Sequence, residues 1–216
     1  MTPTVPVDVI AHVSDAQQRF LDAIRDLDEA AIRRDSLLPG WSVGHVMAHV
    51  ARNADSHVRR CEAAAVGDIV EQYPGGYAGR AAEIESTATR PAVDLIADVR
   101  SSGERLERVW SSLPHQAWAM VTIDVGGRER PLAALTSRRW QELEVHAVDL
   151  CVGVTHRDWP DDFVAAFLPT VRASLPERLP YGARPPEPGT IDVRDELAWL
   201  YGRLRPDDLP ELAPWG

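Results

Sequence analysis

The sequence predicts a mainly α protein: a four-helix bundle with a small β-hairpin and a short C-terminal α(+β) lobe. Three observations carry this. Apolar residues recur at helical spacing over several long stretches of residues 1–152. The connections between those stretches are punctuated by Gly and Pro. The chain then changes character and becomes rich in proline, which divides it into a bundle over residues 1–155 and a small lobe over residues 156–216.

The elements follow in order. A first helix is expected at about residues 14–34, opening at Ser14 as N-cap and placing Phe20, Ile24 and Leu27 on one face. A second runs from the capping Ser42 to about Ala65. The punctuated stretch "GDIVEQYPGGYAGR" leads to a short helix near residues 79–88. Pro91, a favoured first-turn residue, starts the third long helix, which continues through "VDLIADVRSSGERLERVWSSL". "WAMVTIDVGGRERPL" reads as a hairpin about a Gly-Gly turn. The fourth helix spans about 132–152 and stops near Gly153. Beyond it, "WPDDFVAAFLPTVRASL" and "DVRDELAWLYGRL" read as two further helices joined by the proline-rich "YGARPPEPGT". Four long helices with connections the chain can close define the bundle.

Composition narrows the function classes. The 216 residues are 44% apolar and 26% charged, with no apolar run approaching the roughly 18 residues a membrane helix needs. The net charge of −10 argues against nucleic acid or an anionic membrane as partner, because no basic stripe is available to neutralise phosphates. All 23 basic residues are arginine. Lysine Schiff-base chemistry and a Walker-type phosphate loop are therefore excluded. Cys61 and Cys151 show no metal-knuckle spacing and read as small packing residues. The N-terminal "MTPTVPVDVIAHVSDAQQ" lacks a basic start followed by an apolar stretch, so a cytoplasmic protein is expected, as monomer or homodimer.

"GWSVGHVMAHVARNADSH" places His45, His49 and His57 in one helix. On a helical wheel, Val43, Val46, Met47, Val50, Ala54 and Cys61 form the core-facing arc. His49 and Asn53 sit at the edge of that arc. His45 and Arg52 turn further away, and His57 falls within it as a core histidine. His49 is thus the candidate inward ligand, with Asn53, one turn on, a candidate cofactor contact.

In "RRWQELEVHAVDLCV", Glu142, His146 and Asp149 form one polar stripe hemmed on one side by Leu143 and Leu150 and on the other by Val145 and Val152. A solvated face would not be bordered by apolar residues on both sides. The stripe is expected to point inward, where unpaired carboxylate and imidazole are costly. A bound cation answers that cost. Glu142 and His146 leave one face a turn apart, and His49 completes a His₂Glu set with an open position, the pattern of a catalytic zinc site. Nitrogen and oxygen ligands also admit another divalent metal. The bland alternative is a buried Glu142–His146 pair with His49 merely nearby, and spacing alone leaves both open.

Taken together, "LPGWSVGHVMAHVARNAD", "RRWQELEVHAVDL" and the terminal "ELAWLYGR" resemble the mycothiol-dependent maleylpyruvate isomerase family, whose bundle is of the DinB-like metalloprotein type. The likeness covers most of residues 35–165, with the motifs in the same order. It implies zinc held by His49, Glu142 and His146, and mycothiol as thiol cofactor. It also implies two catalytic arginines associated with substrate, Arg80 in "YAGRAAEIES" and Arg203 in the C-terminal "GR", with Arg80 also near the cofactor. An arginine fork suits a carboxylate. Asp149 is expected to orient a ligand. One departure is visible: the family's C-terminal lobe is usually a small α+β unit, whereas residues 167–191 here are short, rich in Pro and poor in strand pattern.

The implied reaction is thiol-dependent cis–trans isomerisation of an unsaturated dicarboxylic acid, maleylpyruvate to fumarylpyruvate. The alternatives are a mycothiol S-transferase or an isomerase of another electrophilic substrate and, outside enzymes, a metal-binding or purely structural bundle.

Overall fold

In a computed structural model of the chain, the structure describes residues 5–214. The first four residues of the N-terminal segment lie outside them. The chain divides into two compact units, Met1–Val152 and Gly153–Gly216.

The first unit contains, in chain order, α1 (Val7–Ile24), α2 (Glu29–Arg33), α3 (Val43–Ala65), α4 (Gly76–Ala88), α5 (Ala92–Ser112), a 3₁₀ turn (His115–Ala119), β1 (Val121–Ile123), β2 (Glu129–Pro131) and α6 (Ala134–Asp149). The four long helices close into a ring in which α3 packs against α5 and α6, and α1 packs against α6 and α5. Their apolar stripes meet inside. Phe20 and Ile24 of α1, Val46, Met47 and Val50 of α3, Val99 of α5 and Leu143 of α6 are all fully buried. Each such aliphatic or aromatic side chain stabilises the fold by about 1.5–3 kcal/mol relative to exposure.

Local chemistry sets the boundaries. The Ser42 hydroxyl accepts from the His45 backbone N–H, and the His45 ring accepts from the Ser42 backbone N–H, a reciprocal cap in which histidine occupies the place usually held by Glu or Gln. Pro91 precedes α5 as its cap residue, one position earlier than the sequence predicts. β1 and β2 pair antiparallel, Thr122 opposite Arg130. Their turn is tied by Asp124, whose carboxylate accepts from the N–H groups of Gly126 and Arg128.

Two expectations need correction. The first helix is not continuous from 14 to 34. It starts at Val7, ends at Ile24, and is followed by the separate α2, whose cap Asp28 accepts from the Ala31 N–H. Ser14 therefore lies mid-helix, its hydroxyl donating to Glu107 across 2.7 Å rather than capping. Cys151 is exposed, not packed. Regular helix ends at Asp149, and Cys151 takes a left-handed φ of 53° just beyond it, so a helical wheel no longer describes where its side chain points.

The second unit holds a 3₁₀ turn (His156–Asp158), α7 (Asp161–Arg172), α8 (Leu175–Arg178) and α9 (Val193–Leu200), with no strand among its described residues. Trp159 packs on Phe163 and Tyr201, with ring centroids 5.4 and 5.9 Å apart, and α7 lies against α9. Arg172 pairs with the buried Glu196, and Arg194 with Asp161 at 2.6 Å. Among the described residues, no helix is long and apolar enough to cross a membrane.

Candidate metal centre

His49 projects from the second turn of α3, and Glu142 and His146 project one turn apart from α6. The packing of α3 on α6 brings them together. Nε2 of His49 lies 2.9 Å from Oε2 of Glu142, and Nε2 of His146 lies 3.2 Å from the same oxygen. The two imidazoles stand perpendicular, centroids 4.7 Å apart. One ligand atom from each of the three residues lies within 4.8 Å of the others, a group able to hold a metal ion. The His49 side chain is 5% exposed, that of His146 13% and that of Glu142 27%, so the site opens to solvent on the Glu142 side.

The far ring nitrogens are also held. His146 Nδ1 lies 2.7 Å from Oδ2 of Asp149, a carboxylate with no exposure. This is the contact expected of an orienting Asp149, and it fixes the ring. Arg80, on α4, places Nη2 3.1 Å from His49 Nδ1. A guanidinium only donates. His49 Nδ1 is therefore the acceptor and its Nε2–H faces the Glu142 carboxylate; holding a metal through Nε2 would require that proton to leave, Nδ1 to carry one, and Arg80 to release Nδ1.

These contacts set the charges. Burial pulls the His49 pKa down to about 4, against the opposing pull of Glu142, so its ring is neutral near pH 7. Burial also disfavours charge on His146, but its hydrogen bonds to Asp149 and Glu142 outweigh burial and raise its pKa. Burial would push Glu142 up, yet the facing His49 and His146 overcome it and hold the carboxyl well below its usual range.

The donor set fits a divalent cation. His146 presents both ring nitrogens to carboxylates, and a neutral imidazole can donate from only one of them. A proton or a cation on the Nε2 side satisfies that arrangement, and a cation there would also engage the Glu142 oxygen.

Arg80 is positioned by a tight local turn. Gly75 and Gly76 take φ of 76° and 63°, and a Cβ on Gly79 would sit 1.8 Å from the Pro74 carbonyl oxygen. The first turn of α4 thus packs closely on the preceding loop. The guanidinium lies 5.8 Å from the ring centroids of both Trp41 and Tyr73. Trp41 also meets the His49 ring edge-on at 5.6 Å. Sequence reasoning does not single out Trp41 or Tyr73. Both lie in loops without periodicity, and only their closeness to Gly/Pro punctuation offers a signal.

Two other candidates have different surroundings. Asn53 is 2% exposed, and its Oδ1 accepts from Arg139 Nη1 at 3.0 Å. Its inward position is as expected, and the arginine it meets belongs to α6. Arg203 lies in the second unit, where its Nη1 donates to the Tyr201 carbonyl. His45 caps α3, and His57 is a core residue at 1% exposure.

The fold and the site define a class first: a helical bundle carrying a candidate two-histidine, one-carboxylate metal centre between neighbouring helices. Residues 13–151 match the mycothiol maleylpyruvate isomerase N-terminal domain, and the chain belongs to that family. Its fold is similar to the crystal structure of the mycothiol-dependent maleylpyruvate isomerase, with a TM-score of 0.83, 23% identity and 96% of each chain covered. A histidine-to-alanine mutant of that enzyme matches equally, at TM-score 0.83 and 22% identity over 96% of each chain. The likeness thus extends over the proline-rich C-terminal part that the sequence marks as a departure. No curated protein sequence matches the chain.

Proposed function

We propose that this protein is a mycothiol-dependent, zinc-assisted cis–trans isomerase of an unsaturated dicarboxylic acid, converting maleylpyruvate to fumarylpyruvate. The observation that carries this reading is the convergence of both Nε2 atoms, from His49 and His146, on one oxygen of Glu142, in a chain of the mycothiol maleylpyruvate isomerase family.

His49, Glu142 and His146 would hold the metal, leaving a position open on the solvent side. When bound there, zinc would lower the pKa of a thiol, making thiolate available near neutral pH to add reversibly to a conjugated C=C bond and free it to rotate. The chain's own residues do the rest. Asp149 holds the His146 ring by its Nδ1–H. Arg80, held near Trp41 and Tyr73 beside His49, presents its fork to a substrate carboxylate. Arg203 is the second candidate for a carboxylate, on the strength of the terminal motif.

The test is turnover of maleylpyruvate by zinc-loaded protein, with and without mycothiol, against a chelated control. Fumarylpyruvate formed only with both thiol and metal supports the reading. Product formed equally without thiol overturns it, and no turnover despite bound metal redirects the substrate to another thiol acceptor.

A further inference from the structure

One turn from the candidate ligands lies a buried cation that the mechanism above does not use. Arg139 of α6 has no exposure to solvent. Its Nη1 donates to the Val50 carbonyl at 2.7 Å and to Asn53 Oδ1 at 3.0 Å, and its Nη2 donates to Gln17 Oε1 at 2.8 Å. Nε has no partner among the described residues. These acceptors are a backbone carbonyl and two amides, none of them a carboxylate. Burying a guanidinium on neutral acceptors is unfavourable compared with apolar packing. Burial accordingly pulls its pKa down to about 10. A side chain retained at such a cost calls for a role beyond filling space.

The placement supplies one. Val50 follows His49 directly in α3, and Asn53 lies one turn further. Arg139 lies three residues before Glu142 and seven before His146, on the same face of α6. The two helices therefore meet in successive cross-connections: His49 with Glu142, and Asn53 with Arg139. Gln17 extends the lower one, since it receives Arg139 from α6 and donates from Nε2 to the Val99 carbonyl of α5 at 3.4 Å. Gly103 of α5 leaves room for it, because a Cβ there would lie 2.7 Å from the Gln17 carboxamide. One arginine thereby ties α6 to α3 and α1 directly, and to α5 through Gln17.

We propose that Arg139 is the positioning residue of the centre, fixing the register of α6 against α3 so that Glu142 and His146 meet His49 at ligand distance. Apolar packing between helices tolerates sliding, and a slip of one residue moves a ligand by about 1.5 Å. A metal site tolerates only about 0.2 Å in its ligand distances. A planar fork anchored on a main-chain carbonyl next to His49 supplies the missing directionality.

The inference rests on the metal-site reading, and zinc affinity separates the two. Zinc binding would be measured by competition with a chromophoric chelator for wild type, Arg139→Met, Asn53→Ala and the control Leu106→Val, a core change on α5. Weakening by about 10–100-fold in Arg139→Met and by a lesser but clear factor in Asn53→Ala, with Leu106→Val near wild type, is expected for groups that orient ligands. Should Arg139→Met fail to fold, the affinity of Asn53→Ala decides between the outcomes. Wild-type affinity in Asn53→Ala and in any folded Arg139→Met overturns the proposal, as does equal weakening in Leu106→Val, because a structural role alone lowers stability without a site-specific loss. A wild-type protein that binds no zinc overturns the centre itself.

Discussion

His146 is caught between two carboxylates: its Nδ1 lies 2.7 Å from Asp149 Oδ2, and its Nε2 lies 3.2 Å from Glu142 Oε2. The buried Asp149 fixes which nitrogen faces the site. Replacing it by Asn removes the charge while keeping the shape. Zinc affinity is expected to fall by about 10–100-fold, with far-UV circular dichroism unchanged. Affinity equal to wild type would show that Asp149 does not orient the ring.

Arg80 is expected to act on substrate and not on metal retention. In Arg80→Met the KM for a dicarboxylate should rise on the order of thirty-fold, about 2 kcal/mol for a lost charged hydrogen bond, with zinc stoichiometry kept. Arg80→Lys should recover little of it, since an ammonium cannot reproduce the fork. Steady-state kinetics of the two variants checks this, and an unchanged KM removes Arg80 from the substrate site.

Gly79 offers an independent route to the same side chain. Gly79→Ala places a methyl 1.8 Å from the Pro74 carbonyl oxygen, so the first turn of α4 must move and carry Arg80 with it. A stability loss of about 1–3 kcal/mol is expected, together with a raised KM. Thermal melting and kinetics of this one variant measure both. Wild-type values in each would mean that the turn does not hold Arg80 in place.

His57 makes the fold acid-sensitive. Burial, followed by the nearby Arg60 and Arg139, holds its pKa well below the ordinary 6.5. The folded state therefore keeps it neutral, while the unfolded chain takes up a proton below pH 6.5. Its contribution is complete above that pH and is lost as the pH falls, at up to about 1.4 kcal/mol per pH unit for one proton. Denaturant melts of the metal-free protein between pH 7 and 5 should show this slope, reduced in His57→Leu. An identical slope in the variant would assign the acid sensitivity elsewhere.

The parts legible in the sequence are those written in short-range patterns. Ser42 announces the start of α3, and the apolar residues on both sides of Glu142, His146 and Asp149 show that the stripe turns inward. The same wheel places His49 at the core edge, and the structure puts its Nε2 against Glu142. Pairings across the chain are not legible. Nothing local to Asn53 announces that it accepts from Arg139, which is 86 residues away. Arg139 is not singled out by the sequence either, because its side-chain partners lie 86 and 122 residues away. The break after Ile24 escapes a sequence reading because Asp28, a cap in the structure, sits within an otherwise continuous helical pattern. Cys151 is misplaced by a helical wheel because the period that positions it ends two residues earlier.

The most direct measurement is the metal content of the purified chain after zinc reconstitution and removal of excess ion, beside His49→Ala and Glu142→Gln. One zinc per wild-type chain, with loss of the ion in His49→Ala and weakened retention in Glu142→Gln, is the result expected of a centre built from His49, Glu142 and His146. No stoichiometric zinc in the wild type, or full retention in His49→Ala, would contradict it and leave the Glu142–His146 contact as a structural pair.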